Sequence, residues 1–405
     1  MPVKNNILAL SFCMGIFAGL ATSCDSRQIV SKGEELTVTK MSGFPDEEDG
    51  ISKGVSACYA GMLDGQLLLA GGANFPDTPA ADGGKKRFYQ GVYAAGMASD
   101  STLVWRKVGE LPVPTAYGVS VTTPQGVICV GGMNADSALN TAYRISFEEK
   151  KQAVHIENLP SLPCTLDNFG GSLVGNVLYV AGGNADGKPS NRVFCLDLSE
   201  PATGWQELPS FPGPERVQPV CIGQHNASGE PQLYLWGGFA GAFDGKHASL
   251  STDGYTYSPS AKQWTTVATP VGNDSVAISL GGGTGIALSD SLILCMGGVN
   301  KDIFLTALQR EEQIKKAVAG KRQVTVDKLK AESKTYMQNP SAYYRFNDRI
   351  CVYNTHTNQW RELFQTPLTA RAGAALVGRG KQFYSINGEL KPGIRTPEIN
   401  KITIK

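Results

Sequence analysis

A short apolar run ending in a pair of glycines recurs along this 405-residue chain. It reads LLLAGG at 67–72, VICVGG at 127–132, LYVAGG at 178–183, LYLWGG at 233–238 and LILCMGG at 292–298, with a degenerate sixth copy, FYSINGE, at 383–389. Most copies lead into a second strand-like run of alternating aromatic and apolar residues, then into an exposed W-x-x-L segment before proline. Examples are Trp105 to Val108 before Leu111 and Pro112, Trp205 to Leu208 before Pro209, Trp264 to Val267, and Trp360 to Leu363. Each repeat of roughly 50 to 60 residues is one four-stranded unit whose twisted sheet cannot cover both of its own apolar faces, so the units must stack. Radial stacking covers them, and paired glycines let the backbones crowd near the axis where side chains would clash.

The period resembles that of Kelch repeats. The predicted fold is therefore all-β, a six-bladed Kelch-type β-propeller over residues 35–405 with a helical insertion in the fifth blade. Blade six has three strands at the C-terminus, near Arg371 to Val377, Lys381 to Asn387 and Arg395 to Ile404, and lacks a fourth. The segment LTVTKMSGFP at 36–45 has the outline W-x-x-L-x-x-F-P with leucine in place of tryptophan, so residues 35–41 are expected to supply the missing outer strand and close the ring. Residues 303–345 break the repeat with a Lys-, Glu-, Gln- and Ala-rich stretch. Ile303, Ala307, Leu308, Ile314, Ala317 and Val318 form an imperfect helical face, and Gly320 offers a stop. A loop this long is either a lid or a tolerated ornament, and because it leaves directly after a glycine pair it is expected to serve as a lid.

Residues 1–23 read as an export signal of the lipoprotein type: Lys4, an apolar run from Ile7 to Leu20, then Leu20-Ala-Thr-Ser-Cys24, similar to the lipobox at which a bacterial signal peptidase cuts. Cys24 is the expected lipidation site, residues 24–34 a linker, and the expected location the periplasm or outer membrane, with membrane contact through the lipid anchor alone; ordinary signal cleavage near the same small residues, releasing a soluble protein, is the simpler alternative. The near-neutral balance, formal net charge +1, offers no basic field for nucleic acid. Cys129, Cys195, Cys295 and Cys351 lie within apolar runs and are expected to be buried thiols. With no paired CxxC and with His155, His225, His247 and His356 scattered, neither a metal site nor a cofactor is expected.

In an antiparallel blade, the residues after each glycine pair and those at the start of the inner strand ring one mouth. The candidates there are Asn74, Phe75, Asn134, Asn184, Phe239, Asn300 and Glu389, joined by Tyr117, Asn168, Arg216, Asp274 and Arg371. Such a funnel of amides, aromatics and a few charges suits a polyhydroxylated small molecule; asparagines that merely satisfy turns are the simpler alternative. Glu389 stands out because the other blades carry neutral residues at its position. Pro392-Gly393 favours a turn that folds Arg395 back toward the same mouth, which makes the two either a functional pair or a bracing ion pair.

The segment INGELKPGIRT at 386–396 resembles the active-site motif of the bacterial N-acetylneuraminate epimerases, sialic acid mutarotases built as Kelch propellers. Further similarity covers GGVNKDIF at 297–304 and AYGVS at 116–120, with weaker similarity through 150–270. The resemblance implies that Glu389 is the proton acceptor and that Arg395 contacts the substrate, a free sugar acid; Lys391 is shared without a role. The chain departs from the family pattern in two ways: its blade order is circularly permuted, and Thr115 stands where the family has arginine. With Glu389 and Arg395 taken as catalytic, the remaining substrate-binding candidates are Asn74, Phe75, Asn134, Asn184, Arg216, Asn300 and Arg371. The alternative function is a non-catalytic glycan- or protein-binding propeller. A sialidase is disfavoured because no repeated S-x-D-x-G-x-x-W box occurs, and a copper oxidase because no His and Tyr-Cys ligand set is evident.

Overall fold

The computed structural model describes residues 26–31, 34–148 and 152–405; Cys24 and the segment 1–23 lie outside the described residues. Among the described residues, six antiparallel sheets of four or five strands each begin on an innermost strand: Tyr59–Leu63, Val119–Thr123, Gly170–Val174, Val220–His225, Thr284–Ala287 and Ala375–Arg379. Each innermost strand touches the next, and the last touches the first, so the sheets form a closed propeller. The glycine-pair runs are the second strands of these sheets.

A circle of backbone hydrogen bonds fixes the axis at the mouth. The amide of Ala57 donates to the carbonyl of Gly373 (2.9 Å), Tyr117 to Ala57 (2.9 Å), Asn168 to Tyr117 (2.7 Å), Gln218 to Asn168 (2.6 Å), Gly282 to Gln218 (3.0 Å) and Gly373 to Gly282 (2.8 Å). All six residues have positive φ, from 51° at Gln218 to 71° at Gly282. Four are not glycine, and holding such residues there costs about 1–3 kcal/mol each, which the closed circle offsets.

Closure joins the two ends of the described chain. Glu34–Met41 runs antiparallel to Ile399–Ile404, from Leu36 opposite Ile404 to Met41 opposite Ile399. Within the segment expected as a linker, Ser26–Ser31 is a strand paired along the outer edge of Glu34–Met41, so this sheet has five strands. Pairing that edge removes a row of open backbone groups. The repeated tryptophans then tie sheet to sheet. Indole N–H groups of Trp205, Trp264 and Trp360 donate to the carbonyls of Pro160 (2.8 Å), Pro209 (2.8 Å) and Ala268 (2.9 Å), and Trp105 reaches Gly43 just beyond the closing strand (3.3 Å).

The insertion forms two helices, α1 (Lys301–Ala319) and α2 (Gln323–Gln338), which pack on each other, followed by a tight turn over Ser341–Tyr344. The Asn300 side chain caps α1 by accepting the Ile303 N–H (3.1 Å). Val318, expected on the apolar face, is instead 56% exposed. The insertion buries Ala317 of α1 together with Val326, Leu329 and Tyr336 of α2. Glu312 pins α1 to the fourth sheet's rim, accepting the Ala248 N–H (3.0 Å) and meeting His247 Nδ1 and Lys316 Nζ at 2.6 Å each.

Candidate active site

Residues after the sixth glycine position fold into a hairpin at the mouth: Glu389–Lys391 pairs with Ile394–Arg395, placing Glu389 directly opposite Arg395. Pro392 and Gly393 make the turn, and Gly393 has φ 82°, the left-handed value that a proline–glycine turn requires at its third residue. Arg395 Nη2 donates to Glu389 Oε1 at 2.5 Å. The Arg395 side chain is only 4% exposed. Its Nε donates to Ser56 Oγ (3.1 Å), Nη2 also reaches the Tyr117 hydroxyl (3.4 Å), and the guanidinium lies 5.0 Å from the Phe75 ring centroid. Nη1 is buried and has no hydrogen-bond partner among the described residues. Burial pushes the Glu389 carboxyl above the usual glutamate range, against the opposing pull of Arg395, Lys86 and the Gly393 N–H.

These groups line one cavity of 330 Å³, within the range of small-molecule sites. Its wall continues through Phe75, Lys86, Tyr117, Gln218 and Phe239, and the insertion adds Phe304 from α1 and Met337 from α2. Ala57, Tyr117, Gln218 and Gly373 of the axial circle also line the channel between the inner strands. Lys391 ties the insertion to the hairpin. Its Nζ donates to the carbonyls of Met337 (3.2 Å) and Asn339 (2.7 Å), which satisfies the end of α2.

Of the other residues expected to bind substrate, the structure brings Phe75 into this cavity and leaves the rest outside its lining. Asn74 is buried, donating to the carbonyls of Gly50 and Gly54 and accepting from the Tyr89 hydroxyl, so it braces a loop. Asn134 accepts the N–H groups of Asp136 and Ser137 in a turn. Asn184 donates to Asp167 (2.7 Å), and Asn300 is committed to capping α1 beside a separate cavity of 780 Å³. Arg216 is fully buried, gripping Asp253 (2.5 Å) and the carbonyls of Pro214 and Gly237. Arg371 is likewise buried, donating to the carbonyls of Asn387 and Glu398 and to the Glu398 carboxylate.

The burial of the two arginines has one cause. Each stands two residues before a member of the axial circle, and that position is buried in every sheet: Val55, Thr115, Leu166, Arg216, Leu280 and Arg371 are at most 2% exposed. Thr115, where the family resemblance leads one to expect arginine, is therefore also a brace, its hydroxyl donating to the Val113 carbonyl (2.9 Å). Lys86 and Ser56 were not among the sequence candidates. Lys86 belongs to the long polar loop between the first glycine pair and its third strand, and that loop's unusual length at the mouth is the signal that points to it.

Taken together, these features define a closed Kelch-type propeller with a carboxylate paired to a guanidinium in a small cavity at its mouth. The chain belongs to the N-acetylneuraminate epimerase family, whose profile matches residues 8–154 and 159–405. Curated N-acetylneuraminate epimerases are similar to it: that of Haemophilus influenzae strain PittEE is 32% identical over 265 residues, 65% of this chain and 64% of the relative. That of Salmonella paratyphi B is 31% identical over 250 residues, 60% of this chain and 57% of the relative. The chain thus spans less than two thirds of the length of these relatives. The solved structure of YjhT aligns with a TM-score of 0.49 at 26% identity, covering 60% of this chain and 63% of that one.

Proposed function

We propose that this protein interconverts the α and β anomers of N-acetylneuraminate by acid–base ring opening. The observation that carries the reading is the Glu389 carboxyl held in one small cavity with Arg395, whose Nη1 has no protein partner among the described residues. Glu389 takes the C2-hydroxyl proton while the ring oxygen gains one; the C2–O bond of the ring breaks, and C2 becomes a ketone. Closure on the other face gives the other anomer. Arg395, in the wall of the same cavity, offers its guanidinium charge to the substrate carboxylate. Acid–base help of about 10²–10⁴-fold suffices to outrun a reaction that also proceeds unaided. The helical insertion, through Phe304 and Met337, acts as the cavity's lid in this reading.

The test follows anomer exchange of N-acetylneuraminate by NMR. Wild-type protein that binds the sugar but exchanges it no faster than buffer would replace this reading with that of a non-catalytic glycan-binding propeller. The same assay has an expected pH dependence. The base must be ionised, and burial raises its pKa above 4.5, so kcat/KM is expected to fall as pH drops, with its midpoint above 4.5. A midpoint at or below that value contradicts Glu389 as the base.

The reading extends to location. Export and lipidation at Cys24 would hold the propeller in the periplasm or at the outer membrane, with no nucleic-acid partner. Cys24→Ala is expected to abolish incorporation of labelled palmitate and to move the protein from the membrane fraction to the released fraction. Unchanged labelling and fractionation would exclude the anchor.

A further inference from the structure

Ring opening needs two proton carriers, one for the C2 hydroxyl and one for the ring oxygen, and Glu389 is only the first. We infer that the Tyr117 hydroxyl is the second, the acid that protonates the ring oxygen; this rests on the reading above. Tyr117 belongs to the axial circle, its backbone locked at φ 65° by hydrogen bonds on both sides, and it lines the cavity with Glu389.

The hydrogen bonds at this hydroxyl set its role. Lys86 Nζ lies 2.9 Å from the Tyr117 oxygen and Arg395 Nη2 lies 3.4 Å from it. Ammonium and guanidinium groups only donate, so both bonds use the oxygen as acceptor. A phenol oxygen accepts about two such bonds and carries one hydrogen. With its accepting directions occupied, the hydroxyl can only donate onward, and no acceptor for it occurs among the described residues. A substrate oxygen in the cavity would be that acceptor.

The charges suit the transfer as well. Lys86 Nζ also sits 4.7 Å from the Tyr117 ring centroid, so a phenolate formed here would face two fixed cations. Glu389 and Tyr117 flank the same nitrogen, Arg395 Nη2, at 2.5 and 3.4 Å, so their oxygens are at most 5.9 Å apart. One anomeric centre can bridge that span, with its hydroxyl toward the carboxylate and its ring oxygen toward the phenol.

The protons balance. In opening, the O–H electron pair becomes the second bond of the C2 ketone, the ring C–O pair moves to oxygen, and that oxygen takes the Tyr117 proton. In closing, the new hydroxyl attacks the other face of C2, the phenolate recovers its proton, and Glu389 returns the first one. Neither an oxidant nor a co-reactant is consumed.

The test compares wild type, Tyr117→Phe and Lys86→Met by NMR exchange at saturating N-acetylneuraminate, in H₂O and D₂O. Tyr117→Phe is expected to cut kcat about 100-fold with KM within about threefold, and to reduce the solvent isotope effect because one of two moving protons is lost. Lys86→Met, which keeps the phenol but removes one donor, is expected to cut kcat about tenfold. A Tyr117→Phe enzyme retaining more than a third of the wild-type kcat, or losing only KM, overturns the inference while leaving Glu389 in place. The inference also falls if Lys86→Met is the more damaging change, since the lysine would then be the acid. Wild type without exchange activity instead removes the functional reading, and this inference with it.

Discussion

Glu389→Gln is expected to slow N-acetylneuraminate anomer exchange by about 10²–10⁴-fold while leaving affinity for the sugar within a few fold. The amide keeps the size of the carboxyl, and its carbonyl oxygen can still accept from Arg395 Nη2, so the hairpin that holds both residues stays paired. What it loses is the lone pair that takes the proton. Arg395→Ala is a different experiment. It removes the guanidinium charge from the cavity wall and strips the Glu389 carboxylate of its partner, so binding and proton transfer should fall together. Calorimetric binding beside NMR exchange separates the two cases. A glutamine variant that keeps more than a tenth of the wild-type rate would rule out Glu389 as the base.

The repeat was plain in the sequence because a glycine pair at the crowded axis is a steric requirement, restated in each sheet. Asn387 shows how the sixth copy departs from it: with φ 59° it takes the left-handed conformation of a first glycine, which asparagine tolerates better than most residues. The site was legible where chemistry and turn geometry coincide, at Glu389, Arg395 and the proline–glycine turn between them. It was misread where the register slipped by one. The first residue after five of the six pairs meets the inner-strand approach: Ala73 faces Ser56, Met133 faces Ala116, Asn184 faces Asp167, Phe239 faces Val217 and Glu389 faces Ala372. In extended chain the next residue points the other way, which is why Asn74, Asn134 and Asn300 brace loops or cap a helix instead of lining the cavity, whereas Phe75, two residues beyond Ala73, lines it. Lys86 had no repeat position to betray it. It reaches the cavity from a loop belonging to the first sheet alone. The insertion was legible as helical and Gly320 as the stop of its first helix, whereas α2, which buries Val326, Leu329 and Tyr336, had no face read for it.

Leu36→Ala is expected to destabilise the whole propeller by about 2–5 kcal/mol, although Leu36 lies on an outer strand far in sequence from the residues it supports. Leu36 and Val38 are completely buried and pack with Leu294, Ile350, Phe383 and Ile402, a cluster that spans the fifth and sixth sheets. Removing most of one side chain there leaves a void between two sheets that cannot collapse without breaking the ladder to Ile399–Ile404. The hairpin that carries Glu389 and Arg395 shares this sheet's fate, since Glu389 bridges to Ala372 and the neighbouring Gly373 belongs to the axial circle. Urea unfolding should therefore show one transition, shifted to lower urea, with exchange activity lost along the same curve. Deleting residues 26–41 exposes the full edge of Ile399–Ile404 and is expected to prevent recovery of folded protein altogether. A Leu36→Ala protein within about 0.5 kcal/mol of wild type would mean that the ring closes without this strand, because that is the range of an ordinary surface substitution.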